Sequence, residues 1–120
     1  MKKLKKPEPP RYRREEGKTK IQILIFLSDI HPRKATLGEI HSYLKKISKR
    51  KFQRMNTKKI LHKLISEDLV KEFKNGFGIN KRVVDYNKKH LYEKWSESDK
   101  YFYFIQMFNI FGIKQANWSW

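Results

Sequence analysis

Apolar side chains recur along this chain with two different periods, and each change of period marks an element. Over residues 18–30, Ile21, Leu24, Ile25 and Leu27 or Ser28 follow helical spacing, although IQILIFL also fits a buried strand. The length of the segment and the His31-Pro32 stop favour a helix. Thr36 followed by Glu39 is a capping box, in which hydroxyl and carboxylate each satisfy a backbone N–H, and Ile40, Tyr43, Leu44 and Ile47 continue it at i, i+3, i+4 and i+7. SKRKFQR, residues 48–54, then interrupts the period and reads as a turn with Phe52 packed inward. A third helix starts near Asn56 or Thr57, either of which suits a cap, and buries Ile60, Leu61, Leu64 and Ile65. At about 100° per residue its opposite side carries Met55, Lys59, His62, Lys63 and Ser66.

After residue 67 the pattern changes. Asp68 falls where the chain leaves the helix, and Asp tolerates the left-handed conformation better than most residues. Residues 69–74 read as a strand, Asn75-Gly76 as a type I′ hairpin turn, and residues 76–86 as the return strand. Asn75-Gly76-Phe77-Gly78 lacks the spacing and the strand-to-helix setting of a phosphate loop, and Phe77 at the hairpin tip reads as a turn aromatic, with stacking on an unpaired base as the alternative. Residues 87–97 form a polar connector with Leu91, Tyr92 and Trp95 at helical spacing. From a cap at Ser98, residues 98–120 make an aromatic C-terminal helix and tail. Its stripe of Tyr101, Phe104, Ile105, Phe108 and Phe111 is widened by Tyr103 and Met107 beyond what one small core covers. That stripe has three readings: packing against the first helix, a symmetric dimer helix, or contact with a larger assembly.

Composition sharpens the picture. The 120 residues fit one domain with a modest core. The net charge of +17 is distributed as +6 over residues 1–20, −1 over 21–30, +10 over 31–63 and +2 over 64–120. A field so concentrated implies a polyanionic partner, since Lys and Arg at phosphates release condensed counterions. Residues 1–17 combine high charge, three prolines and almost no aliphatic side chains, the composition of a disordered basic arm.

The absence of cysteine excludes disulfides, thiolate metal sites and thiol catalysis. The four histidines show neither HxH nor HExxH spacing, and no Ser/His/Asp or paired-carboxylate arrangement emerges; a non-enzyme without metal or cofactor is expected. No secretory signal pattern opens the chain, which predicts an intracellular, cytoplasmic protein. The longest apolar run, residues 101–113, is shorter than the roughly 20 residues that span a bilayer, and no membrane partner is expected.

Helix, helix, turn, helix and hairpin over residues 18–86 resembles the winged helix-turn-helix superfamily, carried by ILIFLSDI, TLGEIHSYL and ILHKLISEDLV. The match departs at Asp68, where Gly is usual. The expected fold is thus mainly α with a small β-hairpin: arm 1–17, winged helix-turn-helix domain 18–86, connector 87–97 and extra C-terminal helix 98–120. The resemblance implies a third helix in a major groove and a wing on the backbone or minor groove. Met55, Asn56, Lys59, His62 and Lys63 would then face the groove. Lys49, Arg50, Lys51, Arg54 and Lys58 would contact phosphates, and Lys81 and Arg82 would act from the wing. Arg11, Arg13 and Arg14, after the stiff Pro7-Glu8-Pro9-Pro10 segment, would reach an adjacent minor groove or a folded RNA. This face is Lys-rich where bidentate base readers would be Arg, Asn or Gln, so low sequence specificity is expected.

Three functions compete. The favoured one is a DNA-binding transcriptional regulator acting by occupancy, a homodimer through its C-terminal helix. The second is a structural RNA-binding subunit of a ribonucleoprotein, ribosomal or ribosome-associated. The third is a protein-interaction winged helix in a polymerase or replication complex, against which the charge argues.

Overall fold

The structure, a computed structural model, describes residues 11–47 and 54–113. In chain order these residues form α1 (Arg11–Ile30), α2 (Leu37–Ile47), α3 (Arg54–Ser66), β1 (Val70–Phe73), β2 (Gly76–Ile79), α4 (Lys81–Lys89), a 3₁₀ turn (Tyr92–Lys94) and α5 (Glu97–Ile110). The protein is mainly helical with one two-stranded antiparallel hairpin.

The organising element is α1, which touches α2, α3, β2 and α5. Ile21, Ile23, Leu24 and Leu27 are all fully buried, and a helix apolar on most sides is one enclosed by neighbours. That resolves the helix-or-strand ambiguity of IQILIFL. The helix begins at Arg11, which corrects the expected boundary of the arm: residues 11–17 are helical, and residues 1–10 lie outside the described residues. Arg and Glu are strong helix formers, and prolonging a formed helix is far easier than nucleating one.

Two buried lysines fasten α1, one at its middle and one at its C-terminal end. Lys20 Nζ donates to both carboxylate oxygens of Glu67, at 2.9 and 3.0 Å, just beyond α3. Near the C-terminal end of α1, Lys100 Nζ of α5 donates to Asp29 Oδ1 at 3.1 Å and Glu97 Oε1 at 2.8 Å, while Tyr92 Oη donates to the same Asp29 oxygen at 2.9 Å. Burial alone would lower the Lys100 ammonium, but its bonds to Glu97 and Asp29 outweigh that and hold it above its ordinary value.

Local chemistry sets the boundaries of the helices. The Thr36/Glu39 capping box is present: Glu39 N–H donates to Thr36 Oγ1 at 3.1 Å and Thr36 N–H to Glu39 Oε1 at 2.9 Å. That backbone bond and the Arg33 guanidinium hold the Glu39 carboxyl below its usual range. At the end of α3, Leu69 N–H reaches Leu64 O and Asp68 N–H reaches Ile65 O, both at 3.0 Å, with Asp68 at φ 60°. This is a Schellman motif with Asp in the left-handed position, and buried Leu64 and Leu69 supply its apolar contact.

The hairpin register is Val70↔Ile79 to Phe73↔Gly76, which leaves Lys74 and Asn75 as the turn. Neither has positive φ, so the turn is not type I′; the positive φ, 137°, belongs to Gly76. Gly76 is required there, because a Cβ would lie 2.6 Å from Ala35 O. Ala35 and Phe77 exchange both backbone hydrogen bonds, at 2.9 and 2.7 Å, tying the hairpin to the α1–α2 connection. Phe77 is therefore buried in the core and not a free turn aromatic.

The return strand ends at Ile79, seven residues short of the expected limit. Asn80 caps α4, accepting from Arg82 N–H at 3.0 Å, and the Lys81–Asp85 pair at i, i+4 lies along its exposed side. The cap of α5 is Ser96 in place of Ser98, its hydroxyl accepting from Asp99 N–H. α5 packs on α1 with Tyr103, Phe104, Met107 and Phe108 in the core, and ends in a second Schellman motif at Gly112, φ 71°.

Candidate nucleic-acid interface

α3 is divided lengthwise. Ile60, Leu61 and Leu64 are buried and Ile65 half-buried, while Asn56, Lys58, Lys59, His62, Lys63 and Ser66 are exposed. The expected stripe is present, Lys59, His62, Lys63 and Ser66 of the expected opposite face are exposed, and four consecutive outward positions, 58, 59, 62 and 63, are basic side chains or histidine. Thr57 is not the cap of α3 but an interior residue, fully buried, whose Oγ1 shares a 2.9 Å hydrogen bond with Nδ1 of His41 on α2. That bond ties α3 to α2.

Lys49, Arg50 and Lys51 lie outside the described residues, as does Phe52. Arg11, Arg13 and Arg14 on the first turns of α1, and Arg54 and Met55 on the first turn of α3, are placed by backbone alone. Lys45 and Lys46, which open the densest run of positive charge in the sequence but are not in the expected contact set, are exposed in the last turn of α2. Cations at that end also complement the helix dipole.

The hairpin contributes different residues from those expected. Lys81 and Arg82 sit on the first turn of α4, not on the hairpin, because Asn80 starts a helix where alternation suggests a strand. Arg82 is moreover engaged within the protein: Nη1 donates to Glu67 O at 3.3 Å, Nη2 to Phe111 O at 3.5 Å, and the guanidinium lies 4.0 Å from the centre of the Phe111 ring. It joins the ends of α3 and α5. The cations the hairpin does carry are Lys71 on β1 and Lys74 in the turn, both exposed, with Lys34 beside them. The Phe73 ring lies 4.5 Å below Lys34 Nζ and 5.4 Å from Lys71 Nζ. The sequence signal for these is a strand that follows a basic helix and itself reads VKEFK.

The aromatic stripe of α5 is mostly interior. Phe104 and Phe108 are fully buried and Tyr101, Ile105 and Phe111 are partly buried against the same core, so these five are chiefly packing residues and not a free interface. Among the described residues no helix is long and apolar enough to cross a membrane. No family model, no curated protein and no solved structure matches this chain.

Proposed function

We propose that this protein binds duplex DNA as a winged helix-turn-helix regulator, acting by occupancy and not by chemistry, with α3 in a major groove and the β1–β2 hairpin on the flanking backbone. The observation that carries this reading is the division of α3: an apolar side sunk in the core and an outward side made of Lys58, Lys59, His62 and Lys63. A helix held by its inner face presents its outer one rigidly, as groove docking requires. Lys71 and Lys74 are exposed on the hairpin that follows α3, and Lys45 and Lys46 on the helix that precedes it. Lysines neutralise phosphates but read bases poorly, so binding is strongly salt-dependent and modestly sequence-selective.

The test is competition between duplex DNA and a structured RNA across a salt series, with wild type and the Lys59→Ala/Lys63→Ala double variant. Duplex preference is expected, with the log–log salt slope of the variant shallower by about 0.9 for each phosphate that the missing ammonium groups no longer neutralise. An unchanged slope removes α3 from the interface. A preference for the RNA that persists at every salt concentration replaces regulation with a ribonucleoprotein role.

A further inference from the structure

An open cleft of about 620 Å³ lies between the C-terminal end of α1, the end of β2, α4, the 3₁₀ turn and the first turn of α5. That is the size of a site for a small organic molecule, roughly 300–1,000 Å³. Part of its wall is apolar, formed by Ile79, Val84, Leu91 and the ring of Tyr92. Leu91 is 53% exposed and stands at φ 52°, a left-handed conformation that a residue with a side chain adopts only at a cost. The fold thus keeps a large apolar side chain open at the cleft.

We propose that this cleft binds a small organic cation, an ammonium group carried on an apolar body. Charge makes the choice. Three of the chain's 12 acidic side chains, Asp29, Glu93 and Glu97, line the cleft beside Lys88 and Lys100. Three carboxylates against two ammonium groups make this lining acidic in a chain of net charge +17. Lys100, only 7% exposed, is already engaged by Asp29 Oδ1 and Glu97 Oε1. The second oxygen of each of those carboxylates, and both oxygens of Glu93, accept no hydrogen bond from the described residues. A ligand ammonium fills such acceptors with charge-assisted bonds, while its body covers Ile79, Val84 and Leu91.

Other occupants fit less well. Among the described residues no group of three acidic or histidine side chains is placed to hold a metal ion, and a bare ion would leave the apolar wall uncovered. A carboxylate or phosphate ligand would meet the three carboxylates of the lining. The rest of this +17 chain repels an ammonium ligand, which confines it to the cleft.

The test is an amide NMR titration of the full-length protein with three probes of one shape: tryptamine, its alcohol analogue tryptophol and the anion indole-3-propionate. Tryptamine is expected to give saturable shifts at Asp29 and along residues 87–93. Tryptophol should bind about tenfold more weakly, for want of a charged donor, and the anion not at all. Two lining charges, both exposed, then set the sign: Glu93→Gln should weaken tryptamine about threefold and Lys88→Gln should tighten it by a similar factor. Leu91→Gly suits the left-handed backbone, so it should keep the melting transition and still lose affinity. Equal binding of amine and anion, shifts that do not saturate or that fall on α3, or the same direction of change for Glu93→Gln and Lys88→Gln would each overturn the proposal. None of these readouts involves nucleic acid, so they stand or fall separately from the DNA-binding proposal.

Discussion

α3 and α5 are helices of similar length, 13 and 14 residues, each with one side in the same core and each closed by a Schellman motif, yet they present opposite surfaces. Outside, α3 is cationic, whereas α5 exposes no cation, only Glu97 and Asp99 in its first turn and the apolar Phe102 and Ile110 beyond them. Inside, α3 contributes aliphatic side chains of ordinary size, whereas α5 contributes Tyr103, Phe104, Met107 and Phe108, the bulk of the aromatic core. The difference separates two tasks within one small domain. α5 places the larger side chains in the core against α1, and α3 places the denser positive charge on the surface.

The sharpest way to break this division is Phe108→Ala. Phe108 is fully buried in the core that α5 shares with α1, and truncating a core Phe costs about 3–5 kcal/mol through forfeited transfer free energy and the cavity left behind. Thermal or denaturant unfolding should register that cost, and any molecules that remain folded should bind duplex DNA as wild type does. If affinity fell in proportion to stability at a temperature where the variant is fully folded, the two helices would not be separable.

Much of this arrangement is legible in the sequence because it is local. Thr36 with Glu39, the departure at Asp68, and the 60, 61, 64, 65 stripe each follow from a few neighbouring residues whose chemistry has one good outcome. The differences between pattern and fold share another origin. Val83-Val84 suggests strand because β-branched residues favour it, but the Asx cap at Asn80 acts first and leaves Val83 buried on a helix. The stripe that periodicity assigns to α5 is rotated from the one that is buried, since almost every position from 101 to 111 is apolar and period alone does not select a face. Lys100 decides it. No pattern places a lysine in a core, and its burial is intelligible only with Asp29, 71 positions away, at the other end of its hydrogen bond. Arg82 is similar: its partners Glu67 and Phe111 are remote in sequence, so the sequence presents it as a free cation.

The α1–α5 side can also be probed by alkali. Burial first, then the Asp29 carboxylate, push the Tyr92 phenol well above its ordinary 10.0, and burial does the same to Tyr103. A folded value above the unfolded one means that the native state keeps a proton the unfolded chain releases. The associated stability is complete below pH 10 and declines as pH rises from the unfolded value toward the folded one, at about 1.4 kcal/mol per pH unit for each such group. Tyr92→Phe should lower stability near neutrality by about 1.5–3 kcal/mol, the cost of removing a hydrogen bond to a carboxylate. It should also make the alkaline decline shallower by one proton. Melting curves between pH 9 and 11 measure both, and an unaltered alkaline slope would place Tyr92 outside the titrating set.

The smallest effects come from the two helix ends, where α3 and α5 use the same motif with different residues. Asp68 and Gly112 occupy equivalent left-handed positions, at φ 60° and 71°. A Cβ at Gly112 would meet nothing within 4 Å, so Gly112→Ala tests the backbone alone and should cost about 1 kcal/mol. Asp68→Gly should move the other way by a few tenths to about 1 kcal/mol, because it relieves the left-handed strain and removes a negative charge from the C-terminal end of a helix dipole. The gain is limited by the greater entropy that Gly has in the unfolded chain. Opposite signs in parallel unfolding experiments would establish that the ends are equivalent and only their residues differ. A destabilising Asp68→Gly would instead mean that the carboxylate itself does something at the edge of the cationic surface. An Asp there also repels phosphate, so the same substitution should tighten duplex binding slightly at low salt and leave it unchanged once that charge is screened.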